Sequence, residues 1–377
     1  MALLPEKEEK KVEYLELIYD LIFVYIIGRN NSLLHNIENG FVAAPVFLAY
    51  VLCGLAIIQI WCFSTFYTNM YGKNSLRDHL FMFVNMYLLY YLGEGMRLHR
   101  ENDGAQYHIA WALILLNIAV QYAAVYRQAE DAAEKKTVRG LFFALAGEAA
   151  LILIAIPVFA YTGVQLAGVA ILFGILATCL LSGNTRGDRV DFMHLSERAM
   201  LYVVFTFGEM IIAIASYFEG GLTVSSIYFS GMCFLIVVGL FLCYELLYDR
   251  IIDREKKTAG MGYMLLHIFL IFGMNNLTTA LEFMRDEEVR LLPKTVLLVS
   301  SFLLLFGCMF LLLLFAKPEM KYCRKTALPA ALASVGFAVL MFVFRTAMYA
   351  NIFISVLYVF TVFFLLRAFS RQNEKSL

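Results

Sequence analysis

Glu16 and Asp20 sit one helical turn apart at the mouth of the first long apolar run, VEYLELIYDLIFVYII. At i and i+4 they share one face of a helix. Ionisable side chains inside a membrane helix are expensive, so they face the bundle interior and take a partner, marking a pathway or serving packing. A carboxylate near a helix start also complements the helix dipole. That reading suits Glu13 and Glu16 better than Asp20, which is followed by LIFVYII. Arg29 closes the same run, where its long stem can snorkel towards the interface.

A second constellation lies in DFMHLSERAM, where Asp191, His194 and Glu197 follow at i+3 steps, close to one helical face, with Arg198 next. Such a set can bind a divalent metal or relay protons. More often such a run is a cap and ion-pair arrangement at a helix start, here with Arg198 and Arg189 nearby. No second histidine stands at ligand spacing, so we assign no metal and no cofactor. Glu209 falls in the middle of LYVVFTFGEMIIAIAS. A carboxyl there is either protonated or paired with a cation, and both states serve a coupled carrier. Gly208 before it offers room for a helix or ligand to approach. Late in a further span, Asn275, Asn276, Thr278 and Thr279 form a dense polar stretch, NNLTT, that can line a cavity with Glu94. Gln59, Asn85, Asn117, Glu148 and His267 read as helix–helix glue. Trp61, Phe66 and Tyr67 read as interfacial or packing aromatics. Pro157 can break or kink its helix.

The elements that must position these residues follow from composition. Of 377 residues, 61% are hydrophobic and only 16% charged. Stretches of roughly 20 apolar residues, the length that spans a bilayer, recur near 14–34, 42–67, 78–98, 107–126, 140–161, 163–182, 196–217, 223–248, 259–282, 294–316, 327–345 and 347–368. The chain therefore reads as an all-α, polytopic transmembrane bundle of about twelve helices. With that count, 22 of the 30 Lys and Arg fall on connections of one face and 7 on the other. Basic loops stay cytoplasmic, so both termini are expected inside, in a cell (inner) membrane. An offset of 181 residues carries the first six spans onto the last six, Glu16 onto Glu197 and Glu94 onto Asn275. Residues 1–190 and 191–377 are thus expected to be two parallel six-helix repeats.

The zero net charge implies no nucleic-acid partner; the expected partners are the bilayer and a small solute or ion, protons included. The seven cysteines contain no CxxC pair and read as small buried hydrophobes. The N-terminus MALLPEKEEKKVEY lacks the apolar stretch of a cleaved signal peptide, so the first span is expected to be retained. No GxGxxG, phosphate loop, HExxH or GxSxG is present, which favours a non-enzymatic protein.

Two of these segments carry a family resemblance. ELIYDLIFVYII, Glu16 to Ile27, resembles the acidic first-helix signature ELFYDLVFVFAI of the bacterial low-temperature-requirement A proteins. HLSERAMLYVVFTFGE, His194 to Glu209, is similar to their later HxxERxxLxxIIxLGE signature, with Ala199 and Met200 where the family has Phe-Gly. The resemblance implies a bacterial multi-pass inner-membrane protein. It points to Glu16, Asp20, His194, Glu197, Arg198 and Glu209 as the positions to test.

Three functions compete at this level. The leading expectation is a secondary carrier of a small solute or ion, in which intramembrane carboxylates take up a proton or cation. DLIFVYII also looks weakly like the first-helix pattern of a six-helix-repeat potassium channel, which makes a cation channel the second. The third is a membrane-embedded enzyme or accessory factor acting on lipids or envelope precursors, with Asp191, His194 and Glu197 as its catalytic cluster.

Overall fold

The computed structural model describes residues 10–98, 105–182, 190–218, 221–318, 320 and 324–374. Among them are twelve α-helices: α1 (Tyr14–Asn31), α2 (Ala44–Tyr71), α3 (Leu76–Leu98), α4 (Ala105–Gln128), α5 (Ala132–Thr162), α6 (Ala167–Ser182), α7 (Phe192–Ile214), α8 (Val224–Leu246), α9 (Met261–Glu282), α10 (Leu291–Leu312), α11 (Arg324–Val343) and α12 (Met348–Glu374). They follow the apolar runs of the sequence in order. Eight are long and apolar enough to cross a membrane, which makes the chain a multi-pass membrane protein. Helix α1 falls outside that set because Glu16, Asp20 and Arg29 interrupt its 18 residues. The apolar parts of α6 and α11, Ala167–Leu181 and Leu328–Val343, are short.

Capping chemistry sets several boundaries. Asp131 caps α5 by accepting from the Ala133 N–H, and Thr223 caps α8 by accepting from the Ser226 N–H. Gly163, at φ +70°, ends α5 in the left-handed conformation and donates its N–H to the Phe159 carbonyl. Helix α5 runs on past Pro157 to Thr162, so that proline does not break it. Residues 344–347 separate α11 from α12, so the last two apolar runs are distinct helices.

Two local features differ from the sequence reading. The connection after α1 holds a small antiparallel hairpin, β1 (Ile37–Glu38) and β2 (Phe41–Val42), turned by Asn39 and Gly40 with φ of 54° and 88°. Positive φ at both central residues is the geometry that an Asn-Gly pair supplies to a two-residue turn. The second helix also outlasts its apolar run, reaching Tyr71 and carrying Thr68 and Asn69 within it. Both residues are buried, and their polar groups are satisfied inside the protein.

The chain divides into two compact units. The first comprises Met1–Ile26, Ala56–Leu201 and Arg254–Gly262, and in it α3 packs on α4, α4 on α5, and α5 on α6. The second comprises Ile27–Leu55, Tyr202–Asp253 and Tyr263–Leu377, and in it α8 packs on α12, α12 on α11, and α11 on α10. Helix α9 is the most enclosed candidate span, buried over 83% of its apolar window. By contrast, α5 and α6 turn Phe143, Ile154, Leu172 and Leu180 outward, an apolar exterior suited to lipid. No disulfide joins the six described cysteines, and Cys323 lies outside the described residues.

Candidate functional site

In the first unit, two i, i+4 pairs from distant parts of the sequence meet. Glu16 and Asp20 on α1 face His194 and Arg198 on α7. Arg198 is 0% exposed, and its guanidinium serves both carboxylates. Its Nε donates to Asp20 Oδ2 at 3.4 Å and its Nη2 donates to Asp20 Oδ1, a two-point fork. Its Nη1 reaches Glu16 Oε1 at 3.4 Å and donates to Thr68 Oγ1 of α2 at 2.9 Å. Trp61, also on α2 and fully buried, donates its indole N–H to Asp20 Oδ1 at 2.8 Å. Burying such charges is tolerable only with this degree of pairing.

His194 completes the network, and its hydrogen can be placed. The Asn69 amide is fixed by the Asp191 backbone: its Oδ1 accepts from the Asp191 N–H at 3.1 Å and its Nδ2 donates to the Asp191 carbonyl at 2.8 Å. Asn69 Nδ2 therefore also faces His194 Nδ1, at 3.0 Å, as a donor. Nδ1 must accept, so Nε2 carries the hydrogen that goes to Glu16 Oε2 at 3.2 Å. Asp191 itself caps α7, its side chain accepting from the His194 N–H at 3.1 Å. Replacing Asn69 with Leu strands both Asp191 backbone groups and frees the ring. We expect a loss of about 1–3 kcal/mol, read as a lowered thermal midpoint of the purified protein; an unchanged midpoint would show that the Asn69 contacts do not hold α7.

One further cation borders the network. Lys10, before α1, donates to the Thr68 and Asn69 carbonyls in the last turn of α2 and to that of Gly72 just beyond it, where a cation also meets the negative end of the helix dipole. Burial holds its pKa below the usual lysine range, against the opposing pull of the Glu16 carboxylate.

Not every candidate converges here. Asp191 and His194 are near neighbours, but Glu197 is half-buried and makes no hydrogen bond or ion pair among the described residues. Within DFMHLSERAM, Asp191 thus serves as the helix cap, and His194 and Arg198, at i and i+4, are the residues that face α1. Among the described residues no group of three or more His, Cys, Asp or Glu is disposed to hold a metal. Glu94, on α3 in the same unit, accepts from the Tyr25 hydroxyl at 2.7 Å.

Glu209 and Asn275 belong to the second unit. The close approach to the Glu209 carboxylate is made by Gly28 of α1, where a Cβ would lie 2.6 Å from Oε1. Gly208, by contrast, is exposed with open space before it, because it points away from its neighbours. Asn275 is buried, and its Oδ1 finds no hydrogen-bond donor among the described residues. Its neighbour Asn276 accepts from the Tyr50 hydroxyl at 2.8 Å.

Sequence reading left out Thr68, Asn69 and Lys10, and took Trp61 for packing. The available signal was the polar pair TN at the end of an apolar run. A helix continued through it places Trp61, Thr65 and Thr68 on successive turns of one face.

Compared with known families, the chain matches the model of the family described as Bacterial low temperature requirement A protein (LtrA) over residues 11–366. No curated protein and no solved structure matches it.

Proposed function

The chain belongs to the bacterial low temperature requirement A family, and from that premise we propose that it is a secondary carrier coupling a small ion or solute to protons. One observation carries this reading: two buried carboxylates, Glu16 and Asp20, share the single guanidinium of Arg198. With His194 as the neutral donor, the directly bonded groups hold one acid more than base. Lys10 and Asp191, one of each sign, flank them. Such a network is balanced by taking up one proton or one monovalent cation, and the two compete for the same carboxylates. That competition is what couples two fluxes in a carrier. We further read the chain as lying in the cytoplasmic membrane with both termini inside, in two parallel six-helix halves, on the strength of its basic loops and its 181-residue offset.

The experiment is flux into proteoliposomes of the purified protein, with pH, sodium and potassium gradients imposed separately. Movement of one ion driven by the gradient of another supports the carrier. Current that follows the membrane potential without proton coupling would make it a channel instead. Absence of flux under every gradient would overturn the ion reading and turn attention to an organic solute or to lipid chemistry.

A further inference from the structure

Glu148 of α5 is fully buried in the first unit, outside the network of Arg198. Its Oε2 accepts from Gln59 Nε2 of α2 at 3.4 Å, and the same nitrogen donates to the Ile171 carbonyl of α6 at 3.4 Å. Two oxygens are left over: Glu148 Oε1 and Gln59 Oε1 are both buried with no donor among the described residues. Gly174 of α6 closes the third side, and a Cβ there would overlap the Glu148 carboxylate and the Gln59 amide. Among the described residues, no charged group acts on Glu148. The titratable side chains on α2, α4 and α6 closest along the chain or around the adjoining pocket are Cys62, Cys179 and Tyr122, none of them a cation. That pocket lies one helical turn away along α2, α5 and α6 and is lined by Phe63, Ala144, Leu145 and other apolar side chains, with Thr178 and Tyr122 of α4 its polar members.

The accounting closes with a single added proton. A hydrogen on Glu148 Oε1 gives a donor to Gln59 Oε1 while Gln59 Nε2 continues to donate to Glu148 Oε2. The result is a cyclic acid–amide pair that satisfies both orphaned oxygens. An ionised Glu148 would instead leave both orphaned oxygens without a donor and place a charge in an apolar setting with no counter-ion among the described residues. We propose that Glu148 is a proton-binding residue distinct from the Glu16–Asp20 network, and that its proton joins α2 to α5 and α6. Gln59 lies two residues before Trp61, so release of that proton loosens the helix that also holds Asp20. The inference stands on this junction alone and does not depend on the carrier reading.

The test is infrared spectroscopy of the purified protein at neutral pH, in the region where protonated carboxylic acids absorb. Wild type is expected to show an acid carbonyl band that is lost in Glu148→Gln, a variant that keeps an amide-to-amide pair with Gln59. In Gln59→Leu the band is expected to persist and shift, because the acid has lost its partner. Should Glu148→Gln fail to fold, the Gln59→Leu shift decides alone. Identical acid bands in wild type and the variants would show that Glu148 is ionised and overturn the proposal.

Discussion

Arg198→Met is expected to lower the thermal midpoint of the purified protein by the largest margin of any substitution in the ion-pair network. Methionine keeps much of the volume, so the cost arises in what stays behind. Asp20 and Glu16 are both buried, and Arg198 is the only cation in contact with either among the described residues. Removing one partner of a buried pair costs about 3–5 kcal/mol, because the remaining charge is stranded. Removing the stranded charges as well is expected to rescue the variant. Replacing a whole buried ionic group by neutral residues is often neutral or stabilising. Arg198→Met combined with Asp20→Asn is therefore expected to recover part of the loss, and adding Glu16→Gln to recover more. Thermal unfolding of the single, double and triple variants checks the order. A single variant that melts with the wild type would mean that these charges are not buried against one another.

Trp61→Ala is expected to be comparably damaging for a different reason. The indole is fully buried in the first unit and holds Asp20 Oδ1 by its N–H. Truncating a buried Trp to Ala costs about 3–5 kcal/mol through lost burial and the cavity that remains. Trp61→Phe separates the two roles, since it keeps most of the apolar surface and removes only the donor. Its expected cost is about 1–3 kcal/mol, the penalty for one unsatisfied hydrogen bond to a charged group. Equal melting of the alanine and phenylalanine variants would show that packing around Trp61 contributes nothing beyond the hydrogen bond.

Trp61 also shows where sequence reading stops. Helix number and order were legible because long apolar runs announce membrane spans by composition alone. Glu16 and Asp20 were legible as candidates because charge inside such a run is costly, and their i, i+4 spacing placed them on one face; His194 and Arg198 stood out in the charged run DFMHLSERAM and in the family resemblance. Their pairing across 178 residues was not legible, since spacing within a helix does not encode which helices touch. Asp191, His194 and Glu197 were therefore grouped by sequence proximity, whereas the structure pairs His194 and Arg198 with α1. The hairpin at Asn39 and Gly40 was hidden by its length, since strands of two residues leave no alternation to read. Asn69 was assigned to a connection because polarity ended the apolar run. The buried partners that keep it helical come from Asp191 and His194, far along the chain.

The central claim is that the shared guanidinium leaves one acidic group free to exchange a proton for a cation. Asp20→Asn tests it most directly. The variant retains an acceptor for Trp61 and leaves Arg198 balanced one to one by Glu16, so it is expected to fold. The measurement is internal pH, reported by an enclosed dye, in proteoliposomes given a sodium or potassium gradient with the membrane potential clamped at zero. Wild type is predicted to move protons in response to one of these gradients. Asp20→Asn vesicles are predicted to respond at least about a hundredfold more slowly, the effect of roughly 2.7 kcal/mol on the barrier. Equal proton movement in wild type and variant, or none in wild type under either gradient, would contradict the account.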